Sequence, residues 1–215
     1  MDTEQLWAIV EDQRIRVAAF LESLTDAEWG KQSLCDGWTV KDVAAHLAVV
    51  PRAPSLARMV PMILRAGGSL DRVNRDIACR YAAQRTPRQL VADLRDDAAL
   101  RTLPTVTSVQ NLAMDIVVHG QDMALPLGRD LPVPADASLN ALQRVWSMGW
   151  PFHAVKRLVG YRLAATDADW AAGDGPVVKG TTIALLLLAT GRGHAVLPQL
   201  SGEGAESLAA SVVRG

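Results

Sequence analysis

The sequence predicts a mainly α protein in which a helical bundle is followed by a small α+β domain. Three observations carry that prediction. Apolar residues recur at helical spacing from the amino terminus to about Leu127. Capping signals punctuate them at short intervals, as in helices joined by short turns. Beyond a proline-rich stretch the pattern changes to the alternation of a half-buried strand.

Taken in order, Leu6, Val10, Val17, Phe20, Leu21 and Leu24 share one stripe of a long first helix that ends near Thr25. Thr25-Asp26-Ala27-Glu28 is a capping box able to start a short helical turn, and Cys35-Asp36-Gly37 is a turn. Thr39 then caps a second helix, with Asp42 complementing its positive end. On this helix Val43, His46, Leu47 and Val50 fall at i, i+3, i+4 and i+7, which places His46 in the apolar stripe. Pro51 and Pro54 interrupt or kink it, and Leu56, Met59, Val60, Ile63 and Leu64 restore the pattern as far as Gly67-Gly68. Leu70 to Tyr81 reads as a weakly amphipathic helix. Thr86-Pro87-Arg88-Gln89 starts a third bundle helix, running through Leu90, Val91, Leu94 and Leu100 to Pro104. Ser108 caps the last one, which turns Val109, Leu112, Ala113, Ile116, Gly120 and Met123 inward.

Pro126, Gly128, Pro132 and Pro134 crowd together as a linker, so the predicted domains are residues 1–128 and 135–215. In the second, a helix from about Ala135 to Trp150 precedes Val159, Tyr161, Leu163 and Ala165, which alternate with Gly160, Arg162, Ala164 and Thr166 as a strand. Gly173 to Pro176 is a turn and Val177-Val178 a second short strand. Thr181 caps an apolar helix ending at Gly191-Arg192-Gly193, and a final helix covers about Ala205 to Val213.

The composition excludes some functions. A net charge of -1 with no Lys/Arg block argues against nucleic-acid binding. The acidic start, Met1-Asp2-Thr3-Glu4, leads into no apolar signal segment, and the greasiest run, Ile183 to Ala189, is too short for roughly 30 Å of hydrocarbon. The expected location is the cytoplasm, away from the membrane. Cys35 and Cys79 make no disulfide framework, and with no histidine near it in sequence Cys35 reads as an idle thiol. Nothing in the sequence specifies an oligomeric state.

Chemistry concentrates in Asn111 to Asp122. At about 100° per residue, Asp115 and His119 stack one turn apart on one helix face, and Asp122 neighbours His119 at i, i+3. With the core direction set by Leu112, Ile116 and Met123, Asp122 turns further outward. A catalytic zinc site takes three protein donors and keeps an open position, and His46 on another bundle helix supplies a third donor to Asp115 and His119. Asp122 would then serve as a supporting residue or substitute ligand. On the residues alone, His46 also reads as a core histidine bonded to a carbonyl, and Asp115 with His119 as an edge pair that needs no metal.

The stretch Gly37-Trp38-Thr39-Val40-Lys41-Asp42-Val43-Ala44-Ala45-His46-Leu47 resembles the mycothiol-dependent maleylpyruvate isomerase-like branch of the DinB superfamily. In that family the corresponding histidine, here His46, is the first metal ligand. A second family motif, Glu, three residues, His, then Gly-x-Asp, is matched by Asp115, His119 and Asp122, with aspartate where the family has glutamate. Val178-Lys179-Gly180, the apolar helix and Thr190-Gly191-Arg192 resemble the family's carboxy-terminal region, so most of the chain is covered.

The resemblance implies a DinB-like four-helix bundle that binds a divalent metal, usually zinc, beside a smaller domain. It also implies a low-molecular-weight thiol such as mycothiol as cosubstrate, acting on a small electrophile by isomerisation or S-transfer. Arg192 is a candidate for binding a carboxylate of thiol or substrate, against a helix-capping role beside Gly191 and Gly193. His153 and His194 lack partners at ligand spacing and read as surface or interface residues. The six tryptophans read as core, with Trp38 beneath the start of the His46 helix and Trp146 and Trp150 one turn apart. Two other readings remain at this point: a non-enzymatic protein binding a small molecule or lipid, and a metal-dependent hydrolase on the same bundle.

Overall fold

The computed structural model describes residues 1–52, 56–104 and 107–214, with the side chains of 56, 58, 213 and 214 excepted. Pro54 and the side chain of Leu56, assigned above to a helix interruption, lie outside the described residues. The chain divides into two compact units, Met1–Leu131 and Pro132–Gly215.

Among the described residues the first unit holds seven α-helices: α1 (Thr3–Glu22), α2 (Asp26–Trp29), α3 (Val40–Val49), α4 (Leu56–Arg65), α5 (Leu70–Ala83), α6 (Pro87–Asp96) and α7 (Val109–Ala124). Both α1 and α3 pack against α6 and α7, so these four form the bundle, and α5 lies against α3. Its core includes Val17, Leu21, Val40, Val43, Leu47, Leu90, Leu94, Ile116 and Met123. The helices start where their caps dictate. Thr39 accepts from the Asp42 N–H while the Asp42 carboxylate accepts from the Thr39 N–H, and Thr86 with Gln89 does the same for α6. Gly120 lets α7 approach its neighbours closely, since a Cβ there would come within 2.9 Å of Leu131.

Some details depart from the sequence expectations. The third bundle helix stops at Asp96 rather than reaching Pro104, and Leu100 is exposed. The reason is tertiary: Arg14, buried on α1, donates from Nη1 to the carbonyls of Asp97, Ala98 and Leu100, which a continued helix would not present to it. In α4, Met59 is buried as expected, but Val60 and Leu64 face solvent.

The second unit contains α8 (Ala135–Ser147), α9 (Ala154–Arg157), β1 (Arg162–Ala165), β2 (Ala171–Ala172), β3 (Val177–Gly180), α10 (Thr182–Ala189), α11 (Gly193–Val196) and α12 (Ala205–Arg214). The sheet order is β2-β1-β3, with β1 antiparallel to β2 (Leu163 opposite Ala172) and parallel to β3 (Leu163 opposite Val178). Helix α10 packs on α8 and is buried all round from Ala184 to Ala189, as its uniformly apolar sequence requires. The strand is shorter than expected: Gly160 takes a left-handed φ of 88°, which ends the alternation and leaves Val159 exposed. Helix α8 ends at Ser147, so Trp146 and Trp150 do not share a helical turn. Trp146 stacks edge-on against Trp170 at 5.9 Å, whereas Trp150 is exposed and is not a core residue. No described helix is long and apolar enough to cross a membrane.

Candidate metal centre

The loop ahead of α3 is fixed before the site is built. Gln32 pairs with Thr39 as an isolated β-bridge, and its side-chain amide donates to the carbonyls of Ser33, Cys35 and Trp38. Gly37 turns the chain with a φ of 71°. The Leu34 N–H donates to the Asp122 carbonyl in the last turn of α7, which docks the loop onto that helix.

Helices α3 and α7 then present three donors to one another. His46 Nε2 lies 3.2 Å from Asp115 Oδ2, and His119 Nε2 lies 3.4 Å from Asp115 Oδ1. The two imidazoles meet edge-on with centroids 5.0 Å apart, and Trp38 stands edge-on to His46 at 5.5 Å. The candidate ligand atoms of His46, Asp115 and His119 all fall within 4.8 Å of one another. Asp115 keeps 32% of its side chain exposed, so the cluster can be reached by a small molecule.

The second nitrogen of His119 faces the interior. Its Nδ1 lies 2.9 Å from Asp122 Oδ2, and the Cys35 thiol donates to the same oxygen at 3.1 Å. Asp122 is fully buried, which corrects the outward placement drawn from helix geometry. That geometry took only the bundle core into account; the Leu34–Cys35 loop forms a second wall over this side of α7. Cys35 is the residue that sequence reasoning passed over. Its sulfur is 3.6 Å from His119 Nδ1, so a histidine does stand beside it, brought there by a contact spanning 84 positions that no local spacing signals. The one hint was its place in the turn directly before the His46 helix.

The electrostatics follow from this packing. Burial opposes ionisation of Asp115, but the charge of His119 and hydrogen bonds with His119 and His46 outweigh it and hold the carboxyl far below the ordinary carboxylate range. Burial likewise opposes protonation of His119, yet Asp115, with Asp122 and Cys35, lifts the imidazole well above its usual range. Without a cation between them, these groups satisfy one another as a charged pair. A metal must therefore displace a proton to enter.

Arg192 belongs to the second unit, where its Nη1 donates to the Thr190 carbonyl at 2.9 Å, the capping arrangement at the end of α10. His153 and His194 are exposed.

Residues 10–103 match the family model of the mycothiol maleylpyruvate isomerase N-terminal domain. The matched segment contains Cys35 and His46 and stops before α7. The fold is similar to the crystal structure of the mycothiol-dependent maleylpyruvate isomerase, with a TM-score of 0.60 at 18% identity over 95% of this chain and 94% of that one. A histidine-to-alanine mutant of that enzyme gives a TM-score of 0.59 at 16% identity over the same shares. No curated protein is matched by the sequence. Residues 10–103 thus belong to the mycothiol maleylpyruvate isomerase N-terminal domain family.

Proposed function

We propose that the protein is a metal-dependent enzyme that uses a low-molecular-weight thiol of the mycothiol type to isomerise, or transfer sulfur to, a small electrophile. The observation that carries the reading is the convergence of His46 and His119 on the two oxygens of Asp115. Neighbouring donors in a tetrahedral zinc site with bonds of about 2.0–2.1 Å stand about 3.3 Å apart. His46 and His119 approach different oxygens of one carboxylate, at 3.2 and 3.4 Å, and the candidate donor atoms of all three residues lie within 4.8 Å of one another, close enough to share one cation; the shorter aspartate in place of the family's glutamate still reaches both histidines.

His46, Asp115 and His119 would hold a divalent cation, zinc by the chemistry of the donors, which would supply positive charge favouring the thiolate of an incoming thiol near neutral pH. The protein's own groups prepare that chemistry. Asp122 keeps one His119 proton on Nδ1, so that the proton a cation would displace is the one on Nε2, facing Asp115. Trp38 packs against the His46 ring and limits its rotation. Addition of a thiolate to a conjugated cis enone, rotation about the resulting single bond and elimination return the thiol and give the trans isomer. The similarity to a mycothiol-dependent maleylpyruvate isomerase supports this reaction class. Cys35 and Cys79, both free thiols, suit a reducing compartment such as the cytoplasm. On this reading Arg192 is a candidate to bind a carboxylate of thiol or substrate.

The test is metal content of untagged protein alongside turnover of a cis enone with and without mycothiol. The expected result is about one divalent metal per chain, lost in His46→Ala and His119→Ala, and turnover that requires the thiol. Turnover without thiol would favour a hydrolase on the same bundle. Failure to take up any metal would overturn the reading and leave a small-molecule binding protein in its place.

A further inference from the structure

We propose that a cleft between the end of α4 and the outer face of α5 binds a small, multiply charged anion, a phosphate ester or a polycarboxylate. Arg72, Arg75, Asp76 and Arg80 recur at spacing that puts them on one side of α5, and Arg65 from the last turn of α4 joins them. Together they line a cleft of about 340 Å³, with the buried Val73 among its walls. That volume lies at the small end of the range for small-molecule sites. Four guanidinium groups face one carboxylate there, a formal surplus of three positive charges.

Six other arginines of this unit pair with acidic side chains. Arg16 pairs with Asp12, Arg52 with Asp93 and Asp97, Arg85 with Asp93, Arg95 with Glu22, Arg101 with Glu4 and Arg129 with Glu28. Among the described residues, Arg65, Arg72 and Arg80 have no ion pair, although each borders the same cleft. Arg75 is held in place by donating to the Gly37 carbonyl at 3.0 Å. Bringing these like charges together is unfavourable unless an anion offsets it, and the planar fork of arginine matches phosphate and carboxylate oxygens in pairs. The net charge of the chain is only -1, while the cationic surplus at this site is gathered within one cleft of about 340 Å³. Confinement selects a compact anion over a nucleic-acid strand, which needs an extended basic surface.

Titration calorimetry on the full chain at low salt tests the site with two probes, fructose 1,6-bisphosphate for phosphate and tricarballylate for carboxylate. At least one probe is expected to bind with about one site per chain, more weakly as salt is raised, and at least about tenfold more weakly in Arg72→Gln/Arg80→Gln. Arg65→Gln, on the other helix, provides a second variant should the first melt differently from the natural protein, and its affinity is expected to fall as well. Binding of the bisphosphate alone identifies a phosphate ester as the ligand class, and binding of tricarballylate alone a polycarboxylate. No binding of either probe, or equal affinity in the natural chain and both variants, overturns the proposal. Because the variants leave His46, Asp115 and His119 untouched and the readout involves no thiol turnover, the result is independent of the proposed activity.

Discussion

Asp122 accepts the Nδ1 proton of His119 at 2.9 Å from a position with no solvent exposure. A buried carboxylate oxygen facing a ring nitrogen requires that nitrogen to donate, so the tautomer of His119 is set by α7 itself. The nitrogen that would give up its proton to a cation is thereby Nε2, on the side of Asp115 and His46. Replacing Asp122 with Asn keeps the volume but removes the charge that stabilises this arrangement. The expected outcome is divalent-metal affinity about 10–100-fold lower, read by competition with a chelator, in a protein whose helical circular dichroism is unchanged. Unchanged affinity would show that Asp122 does not govern the ring.

Cys35 donates its S–H to the same Asp122 oxygen, and is thereby engaged as a hydrogen-bond donor. If the reaction draws its thiol from solution, serine, which keeps a donor, will serve almost as well. Thiol-dependent turnover of Cys35→Ser is expected to stay within about threefold of the natural protein, whereas Cys35→Val, which leaves Asp122 with one donor fewer in a buried setting, is expected to lose more. A serine variant below a hundredth of natural activity would instead mark Cys35 as a nucleophile.

The contrast between these two residues and the rest of the site shows what the sequence could reveal. The starts of α3 and α6 were legible because a cap and its partner lie three residues apart, within the range of local chemistry. The bundle was legible from apolar periodicity, and the stacking of Asp115 on His119 from helix geometry. The burial of Asp122 and the approach of Cys35 to His119 were not, because both depend on a loop folding back across α7 over more than 80 positions. The same holds for the end of α6: the chain beyond Asp96 is apolar enough to suggest more helix, and Arg14 on α1 gathers its carbonyls across more than 80 positions. Strand β2, two alanines paired with β1, carries no signal of its own.

Arg14 therefore bears directly on stability. Its side chain is 1% exposed, and one of its nitrogens serves three backbone carbonyls beyond α6. Arg14→Met preserves most of the apolar stem but removes the side-chain donor to all three carbonyls, of which, among the described residues, Asp97 alone keeps a backbone partner, the Leu100 N–H. The expected loss is about 3 kcal/mol in urea unfolding, set by the cost of unpaired buried acceptors against the relief of removing a buried charge. A loss below about 1 kcal/mol would mean that water replaces the guanidinium without penalty.

Glu28 makes an acid-dependent clamp at the other end of the unit. Its carboxylate accepts from the Thr25 N–H and hydroxyl as the capping box of α2, and from Arg129 at 2.8 Å. The Thr25 backbone hydrogen bond, then Arg129, then the Thr25 hydroxyl hold its pKa down to about 2 from the ordinary 4.5. A carboxylate depressed in the folded state stabilises above its unfolded pKa, and that contribution disappears as pH falls through the folded value. The melting temperatures of the natural protein and Glu28→Gln should therefore differ most above about pH 5 and converge as pH approaches about 2. A gap between the two proteins that stays constant over that window would mean that the clamp works through packing, and that the charge of Glu28 contributes nothing to holding α2 against Arg129.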